Sequence, residues 1–308
     1  MLEKLKQLLE LGGVSGQEEP VIEFLAAQLS GCCRTSTDAM GNLIAHKPGQ
    51  GKRIMLTASA DVPGLIVTWA QPDAVGVQVI GALEPKQYVS KHVRLPDGTR
   101  ALVQCEKQDD TVKSEDLSLE LLGQAVQASQ TASLFSELTQ GEQGILAGAY
   151  LSSRAGCAVL WEVLQRADSP YDLYGVFSVQ GQLGHRGAGP AAAAVEPDMA
   201  IVLQSCEADG QQIRLGGGPV ICQADRKAIF HRQAKQWLAQ AAKRAQIPVQ
   251  TLVDEETSGA AGVVMHTASG IVTGCIEYAV AKRNTAAESV CKQDLEQCAS
   301  LLLHGLEE

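Results

Sequence analysis

Apolar residues recur at helical spacing at the start of the chain. The segment MLEKLKQLLELGG alternates leucines with charged residues, which predicts an amphipathic helix that ends at Gly12–Gly13. Ser15 and Glu18 then stand three residues apart, ahead of the apolar run PVIEFLAAQL, and this is the spacing of a helix capping box. We therefore expect a second helix capped by Ser15, followed by strands in GNLIAHK and RIMLTASA.

Between about Leu65 and Gly144 the pattern changes to short runs of β type. These runs are LIVTWA, VGVQVIGA, HVRLP, RALVQC and LSLELLG, with turn signals such as Pro96-Asp97-Gly98 between them. From Ala147 onward, helical and strand-like segments alternate again. This order predicts an α/β domain made of residues 1–64 and 145–308, interrupted by a β-rich, barrel-like domain at 65–144.

Composition narrows the class of protein. The 308 residues carry a formal net charge of −10 and are 45% hydrophobic, which argues against nucleic acid or an anionic membrane as the main partner. No apolar run reaches the roughly 20 residues that span a bilayer, and the charged first segment is unlike a signal peptide. The nine cysteines show no disulfide spacing, which is typical of reduced thiols. We expect a cytoplasmic protein.

The segment VQGQLGHRGA, residues 179–188, has the small-residue composition of a catalytic loop but holds no carboxylate, hydroxyl or thiol. The six histidines are scattered, and no two share the spacing of a metal site on a helix. GGGPVI at 216–221 lacks the lysine and hydroxyl of a phosphate-binding loop and predicts a turn. Neither Ser152 nor Cys206 lies in a nucleophile elbow. Residue types alone therefore locate no active site.

Several stretches, in the same order, resemble the tetrahedral aminopeptidase family, the dinuclear-metal exopeptidases also called the glutamyl aminopeptidase or endoglucanase-like family. LLELGGVSGQEEPVIEFLAAQL resembles its first helices, GNLIAHK its GNLIA strand, GILAGAYLSSRAGCAVLWEVL its LxGxxLDDRxG segment, and VQGQLGHRGA its VQEEVGxRGA loop. The likeness covers nearly the whole chain. It implies a three-layer αβα core of the zinc-exopeptidase type around a mixed sheet, with an inserted β domain for dimerisation.

In that family two metal ions activate a water, and a separate glutamate takes its proton. The resemblance places neutral residues at these positions. Gly181 stands at the general base, and the metal-ligand positions are occupied by Ser59, Ser152, Gln182, Gln204 and Asn284. The family-site residues that the chain retains are Asp61, Arg154, Arg186 and Glu288, and His185 is a candidate pocket residue.

Hydroxyl and amide oxygens are uncharged at neutral pH and do not replace carboxylates as metal ligands. The resemblance therefore implies no metal cofactor, with zinc or cobalt only if the ligands lie elsewhere. A different alignment around Gln204 or Asn284 would bring in Glu207, Asp209 or Glu277. The hypothesis is a catalytically silent homologue that associates with itself or with an active paralogue through the inserted domain.

Three alternatives stay open. The cleft binds a peptide or another ligand without cleaving it, or the chain is a metal-dependent aminopeptidase with other ligands. A third option is a hydrolase that uses Asp61, His185 or Ser152 in a new arrangement. Nucleic acid and membrane are not expected as partners.

Overall fold

The computed structural model describes residues 1–71, 74–107, 111–121 and 126–307. Its helices are α1 Leu2–Leu9, α2 Glu19–Leu29, α3 Leu151–Arg166, α4 Ala188–Val195, α5 Arg232–Ala245, α6 Ala260–Met265 and α7 Lys292–Gly305. Its strands are β1 Arg34–Thr37, β2 Leu43–Lys47, β3 Arg53–Ser59, β4 Gly64–Gln71, β5 Ala74–Ile80, β6 His92–Arg94, β7 Arg100–Cys105, β8 Leu117–Leu121, β9 Thr131–Leu134, β10 Thr139–Gln140, β11 Ile145–Gly148, β12 Asp172–Ser178, β13 Met199–Glu207, β14 Val220–Ala224, β15 Gln250–Val253, β16 Thr273–Ala281 and β17 Glu288–Cys291.

The main sheet is mixed. Its strand order is β1-β2-β12-β3-β13-β16-β17-β11-β10, with β14 beside β16 and β15 beside β14. The four central strands β12, β3, β13 and β16 are parallel. Their register sets Ser178 beside Ser59 and Glu277 beside Gln204. Because parallel strands end at the same edge of a sheet, the loops that follow them converge there.

Helices cover both faces of this sheet. Ile54 and Leu56 of β3 join the buried cluster that contains α1, α2, α3, α5 and α7. Met55, between them, joins a second cluster with α4 and α6, because successive side chains of a strand point to opposite faces. The expected three-layer α/β core with a mixed sheet is confirmed. Within the described residues, no helix is both long enough and apolar enough to cross a membrane.

A separate six-strand barrel closes in the order β4-β5-β8-β7-β6-β9. Leu65, Val77, Val103 and Leu119 are buried in it, and the alternation of apolar and polar residues in these strands reflects their inner and outer faces. The barrel-like insertion is confirmed. Its boundaries at 65 and 144 and its role in dimerisation stay predictions, and the last two residues of LSLELLG lie outside the described residues.

The loop between α1 and α2 differs from the expected capping box. The second helix begins at Glu19, and no side chain caps it. The hydroxyl of Ser15 donates to Asp61 instead, so the expected cap is wrong because a buried carboxylate competes for the hydroxyl. The expected turn in GGGPVI is confirmed, since the amides of Gly216 and Gly218 donate to Asp294 at 2.8 and 2.9 Å.

Candidate functional site

A cleft of about 830 Å³ opens where the central parallel strands end, the usual place for ligands in a sheet of this kind. The predicted positions that line it are Ser59, Ser152, Gly181, Gln182, His185, Gln204 and Asn284. Asp61, Arg154 and Glu288 are buried behind its wall. Arg186 is exposed and donates to the carbonyl of Leu183 at 3.0 Å. The fold thus brings together positions that are far apart in the sequence.

Asp61 is fully buried and accepts three hydrogen bonds. Its Oδ1 accepts from the amide of Gly181 at 2.9 Å, and its Oδ2 accepts from the amide of Gln182 at 2.7 Å. The hydroxyl of Ser15 also donates to Oδ2. These bonds hold the loop after β12 against the end of β3. Because both oxygens of Asp61 have partners, this carboxylate has a structural role here.

Gly181 lies where there is no room for a side chain. A Cβ atom built on it would be 2.6 Å from Oδ1 of Asp61 and 2.7 Å from Oγ of Ser59, well inside the separation at which carbon and oxygen atoms pack. Asp61 and Ser59 therefore occupy the volume that a longer residue at position 181 would need.

Arg154 is 1% exposed, and its guanidinium donates to the carbonyls of Ala60 and Gly12. Burial lowers the pKa of Arg154, while the nearby Cys157 and Asp61 raise it. The residue lies in the first turn of α3, which packs on the sheet. It ties the end of β3 and the loop after α1 to that helix.

Glu288 holds Ser152 and Asn284 together at one wall of the cleft. Its Oε1 accepts from the hydroxyl of Ser152 and the amide of Asn284, and its Oε2 accepts from the amide of Ser152, all at 2.7 Å. Burial raises the pKa of Glu288, and these donors lower it. The phenol of Tyr278 donates to the carbonyl of Ser152 at 2.6 Å. The hydroxyl of Ser152 is thus engaged with a carboxylate.

Gln204 and Glu277 lie side by side on β13 and β16. The Nε2 atom of Gln204 donates to Oε1 of Glu277 at 2.6 Å. Oε1 of Gln204 and Oε2 of Glu277 are buried and have no hydrogen-bond partner among the described residues. Burial raises the pKa of Glu277 to about 7, against the hydrogen bond from Gln204 and the charge of Arg283, which lower it.

Four basic side chains also line the cleft, those of His185, Lys227, His266 and Arg283. Nδ1 of His185 and Nε of Arg283 are buried and unpartnered within the described part of the chain. Burial lowers the pKa of His185, as do the charges of Lys227 and Arg283, while a hydrogen bond with the backbone of Ser258 raises it. Sequence analysis missed Lys227 and Arg283. The sequence could have indicated Arg283, because this residue directly precedes Asn284, which the resemblance assigns to a metal-ligand position.

The three residues suggested for a new hydrolase are not joined by hydrogen bonds. Ser152 bonds to Glu288, Asp61 bonds to Ser15 and to the loop after β12, and Nδ1 of His185 has no partner in the ranges that the structure describes. In the same ranges, no group of three or more His, Cys, Asp or Glu residues is arranged to hold a metal ion.

Sequence comparisons find one family along most of the chain. The family model described as M42 glutamyl aminopeptidase matches residues 109–301. A protein of Acetivibrio thermocellus named "Putative aminopeptidase" is 28% identical, over 99% of this chain and 98% of that protein. The lysyl aminopeptidase of Pyrococcus furiosus is 26% identical, over 99% of this chain and 96% of that protein.

Solved structures share the whole fold. An aminopeptidase of the archaeon Desulfurococcus kamchatkensis superposes with a TM-score of 0.93 at 22% identity, over 99% of this chain and 94% of that one. A TET peptidase of Pyrococcus horikoshii, which can assemble into a tetrahedron or a large octahedral shell, gives a TM-score of 0.91 at 22% identity, over 100% of this chain and 99% of that one.

Proposed function

The chain belongs to the M42 glutamyl aminopeptidase family, and we propose that it is a cytoplasmic member without peptidase chemistry that keeps the fold as a self-associating scaffold. The observation that carries this proposal is the set of donors at the cleft. The positions that the family resemblance assigns to metal ligands are Ser59, Ser152, Gln182, Gln204 and Asn284. Two divalent cations a few ångströms apart repel each other strongly unless carboxylates or imidazoles surround them. This neutral donor set does not fit such a pair.

The surroundings of Gly181 support the same proposal. The resemblance assigns this position to the general base, which must hold a carboxylate within reach of the attacking water. Asp61 and Ser59 lie so close to Gly181 that even a single Cβ atom would approach to 2.6 Å. A glutamate therefore cannot enter this position unless its neighbours move.

Self-association is the positive part of the proposal. The related TET peptidase assembles into a tetrahedron or an octahedral shell, and a partner of this chain would be a second copy or an active paralogue. The barrel carries two large exposed aromatic side chains, Trp69 at 47% and Phe135 at 40%. Exposed aromatic rings are common at protein interfaces.

A single sample tests both parts. The purified protein is dialysed against zinc, cobalt or manganese, its metal content per chain is measured, and it is assayed on a panel of aminoacyl anilides. The lysyl aminopeptidase of Pyrococcus furiosus, assayed in parallel, controls for sensitivity. We expect no stoichiometric metal and no turnover, with a discrete multimer by light scattering. Bound metal together with turnover would contradict the silent-member proposal, and a monomer at all concentrations would contradict the scaffold.

The competing function is a metal-dependent aminopeptidase, which two observations favour. Proteins named as aminopeptidases match this chain over nearly its whole length, and Glu277 places a buried carboxylate directly beside Gln204. The metal and anilide measurements decide between the two functions. In the Glu277→Gln variant, an activity that depends on this carboxylate would fall by orders of magnitude, because a neutral amide oxygen does not replace a carboxylate as a zinc ligand.

A further inference from the structure

The cleft is basic although the chain is acidic. The formal net charge is −10, yet the described residues that line the cleft include Lys227, Arg283, His185 and His266 against one carboxylate, that of the exposed Glu256. Charges of one sign in a concave site focus their field and raise the local concentration of oppositely charged ligands. The lining side chains therefore favour an anionic ligand, and the carboxylates of Asp61, Glu277 and Glu288 are buried behind them.

Arg283 lines this cleft, and among the described residues the fold uses its backbone amide but not its Nε–H. The backbone amides of Lys282 and Arg283 each donate to Glu207 at 3.1 Å, which fixes the loop. The Nε atom of Arg283 is buried and lacks a partner among the described residues. A buried unpaired donor destabilises the fold, and a guanidinium is shaped to bind carboxylate and phosphate oxygens in pairs.

A second polar atom in the same cleft is also unused. Nδ1 of His185 is buried without a partner in the described ranges, and His185 lies close enough to Lys227 and Arg283 for both charges to lower its pKa. Arg283 and His185, each with one buried atom that lacks a partner among the described residues, thus line one cavity together with the ammonium group of Lys227.

We propose that the cleft binds a small organic anion, whose carboxylate or phosphate group is held by Arg283 with Lys227 and His185 beside it. The inference rests on the proposed metal-free cleft. The volume of about 830 Å³ is that of a site for a small metabolite and exceeds what one inorganic ion fills.

Calorimetric titration tests this with sodium glutarate and inorganic phosphate as the anions, and with neutral glutaramide at matched ionic strength as the control. We expect one anion to bind and glutaramide not to bind. Glutarate binding alone identifies a carboxylate ligand, and phosphate binding alone identifies a phosphate ligand. Arg283→Gln should weaken binding about tenfold or more, because a hydrogen bond to a charged group is lost. Arg232→Gln, an exposed arginine at the start of α5, should leave affinity within about twofold.

Binding of glutaramide as tight as that of glutarate, or unchanged affinity in Arg283→Gln, would overturn the inference. So would the absence of binding by both anions. A parallel titration with zinc separates the two proposals. Zinc binding with anilide turnover refutes the silent-member proposal and this inference with it, whereas no zinc and no anion binding refutes this inference alone.

Discussion

Two groups of polar side chains border the same cleft and differ in how their hydrogen bonds are used. In the first group, each residue has partners inside the fold: Asp61, Arg154 and Glu288. In the second, each has one buried polar atom without a partner among the described residues: His185, Gln204, Glu277 and Arg283. The first group holds the loops in place. The second keeps hydrogen-bonding capacity that the fold does not use, and capacity of that kind marks a ligand site more reliably than polarity alone.

The largest effect is expected at Asp61. Asp61→Ala removes the acceptor of three buried donors and leaves the buried charge of Arg154 with less compensation, so the free energy of unfolding should fall by about 3–5 kcal/mol. Urea denaturation measures this. Asp209→Ala is a matched control, because Asp209 also accepts three hydrogen bonds, all from backbone amides, but is exposed, so water replaces it and the loss of stability should be clearly smaller. Equal losses of unfolding free energy in Asp61→Ala and Asp209→Ala would contradict a special structural role for the first group.

The next effect is a pH dependence at Glu277. Its folded pKa of about 7 lies above the ordinary 4.5, so the folded protein binds this proton more tightly than the unfolded chain does. The contribution is fully present below about pH 4.5 and is lost as the pH rises through 7, at about 1.4 kcal/mol per pKa unit, or about 3 kcal/mol in all. Urea denaturation at pH 5 and pH 8 should show this decline in the wild type, and Glu277→Gln should lack it. An equal decline of the unfolding free energy between pH 5 and pH 8 in both proteins would contradict the assignment of this pH dependence to Glu277.

Gly181→Ala should have an intermediate effect. The added Cβ would lie within 2.7 Å of Asp61 and Ser59, and overpacking of this kind costs about 1–3 kcal/mol of unfolding free energy. Gly31→Ala is the control, because no heavy atom lies within 4 Å of its added Cβ. Its stability should stay within about 0.5 kcal/mol of the wild type. Thermal denaturation distinguishes the two, and a neutral Gly181→Ala would show that the loop after β12 is free to shift.

The smallest effect on stability is expected when Gln204 and Glu277 are replaced together by apolar residues. The double variant Gln204→Leu with Glu277→Met loses the hydrogen bond between these two residues and the weak one that the thiol of Cys275 donates to Glu277 at 3.6 Å, but it also removes two buried unpaired atoms. Its unfolding free energy should stay within about 1 kcal/mol of the wild type, because apolar replacements of both partners are close to neutral. A loss as large as that of Asp61→Ala would place this pair among the structural residues.

Apolar periodicity was enough to predict the layers of the fold. The leucine spacing of α1 and the short β runs of the barrel are local signals, and both were confirmed. Boundaries depended on contacts that local patterns do not contain. Ser15 does not cap the second helix as expected, because its hydroxyl donates to Asp61, which is 46 residues away in the sequence.

The sequence predicted the site only at positions that lie within stretches resembling the motifs of the family. The resemblance placed Ser152, Gly181 and Gln204 at one site, and the structure brings them to one cleft. The pairing of Gln204 with Glu277 could not be derived, because it is created by two parallel strands that are 73 residues apart. Arg283 was missed because a basic residue at the end of a strand usually faces solvent, and only the fold turns it toward a cavity.

The crowding around Gly181 also limits which residues position 181 accepts. A side chain introduced there would meet Asp61 and Ser59 at 2.6 and 2.7 Å. Asp61 cannot move without releasing the amides of Gly181 and Gln182, so a larger residue at 181 requires changes at its neighbours as well. The effect of a substitution at this position thus depends on which neighbours have changed before it, and the order in which substitutions can accumulate here is constrained.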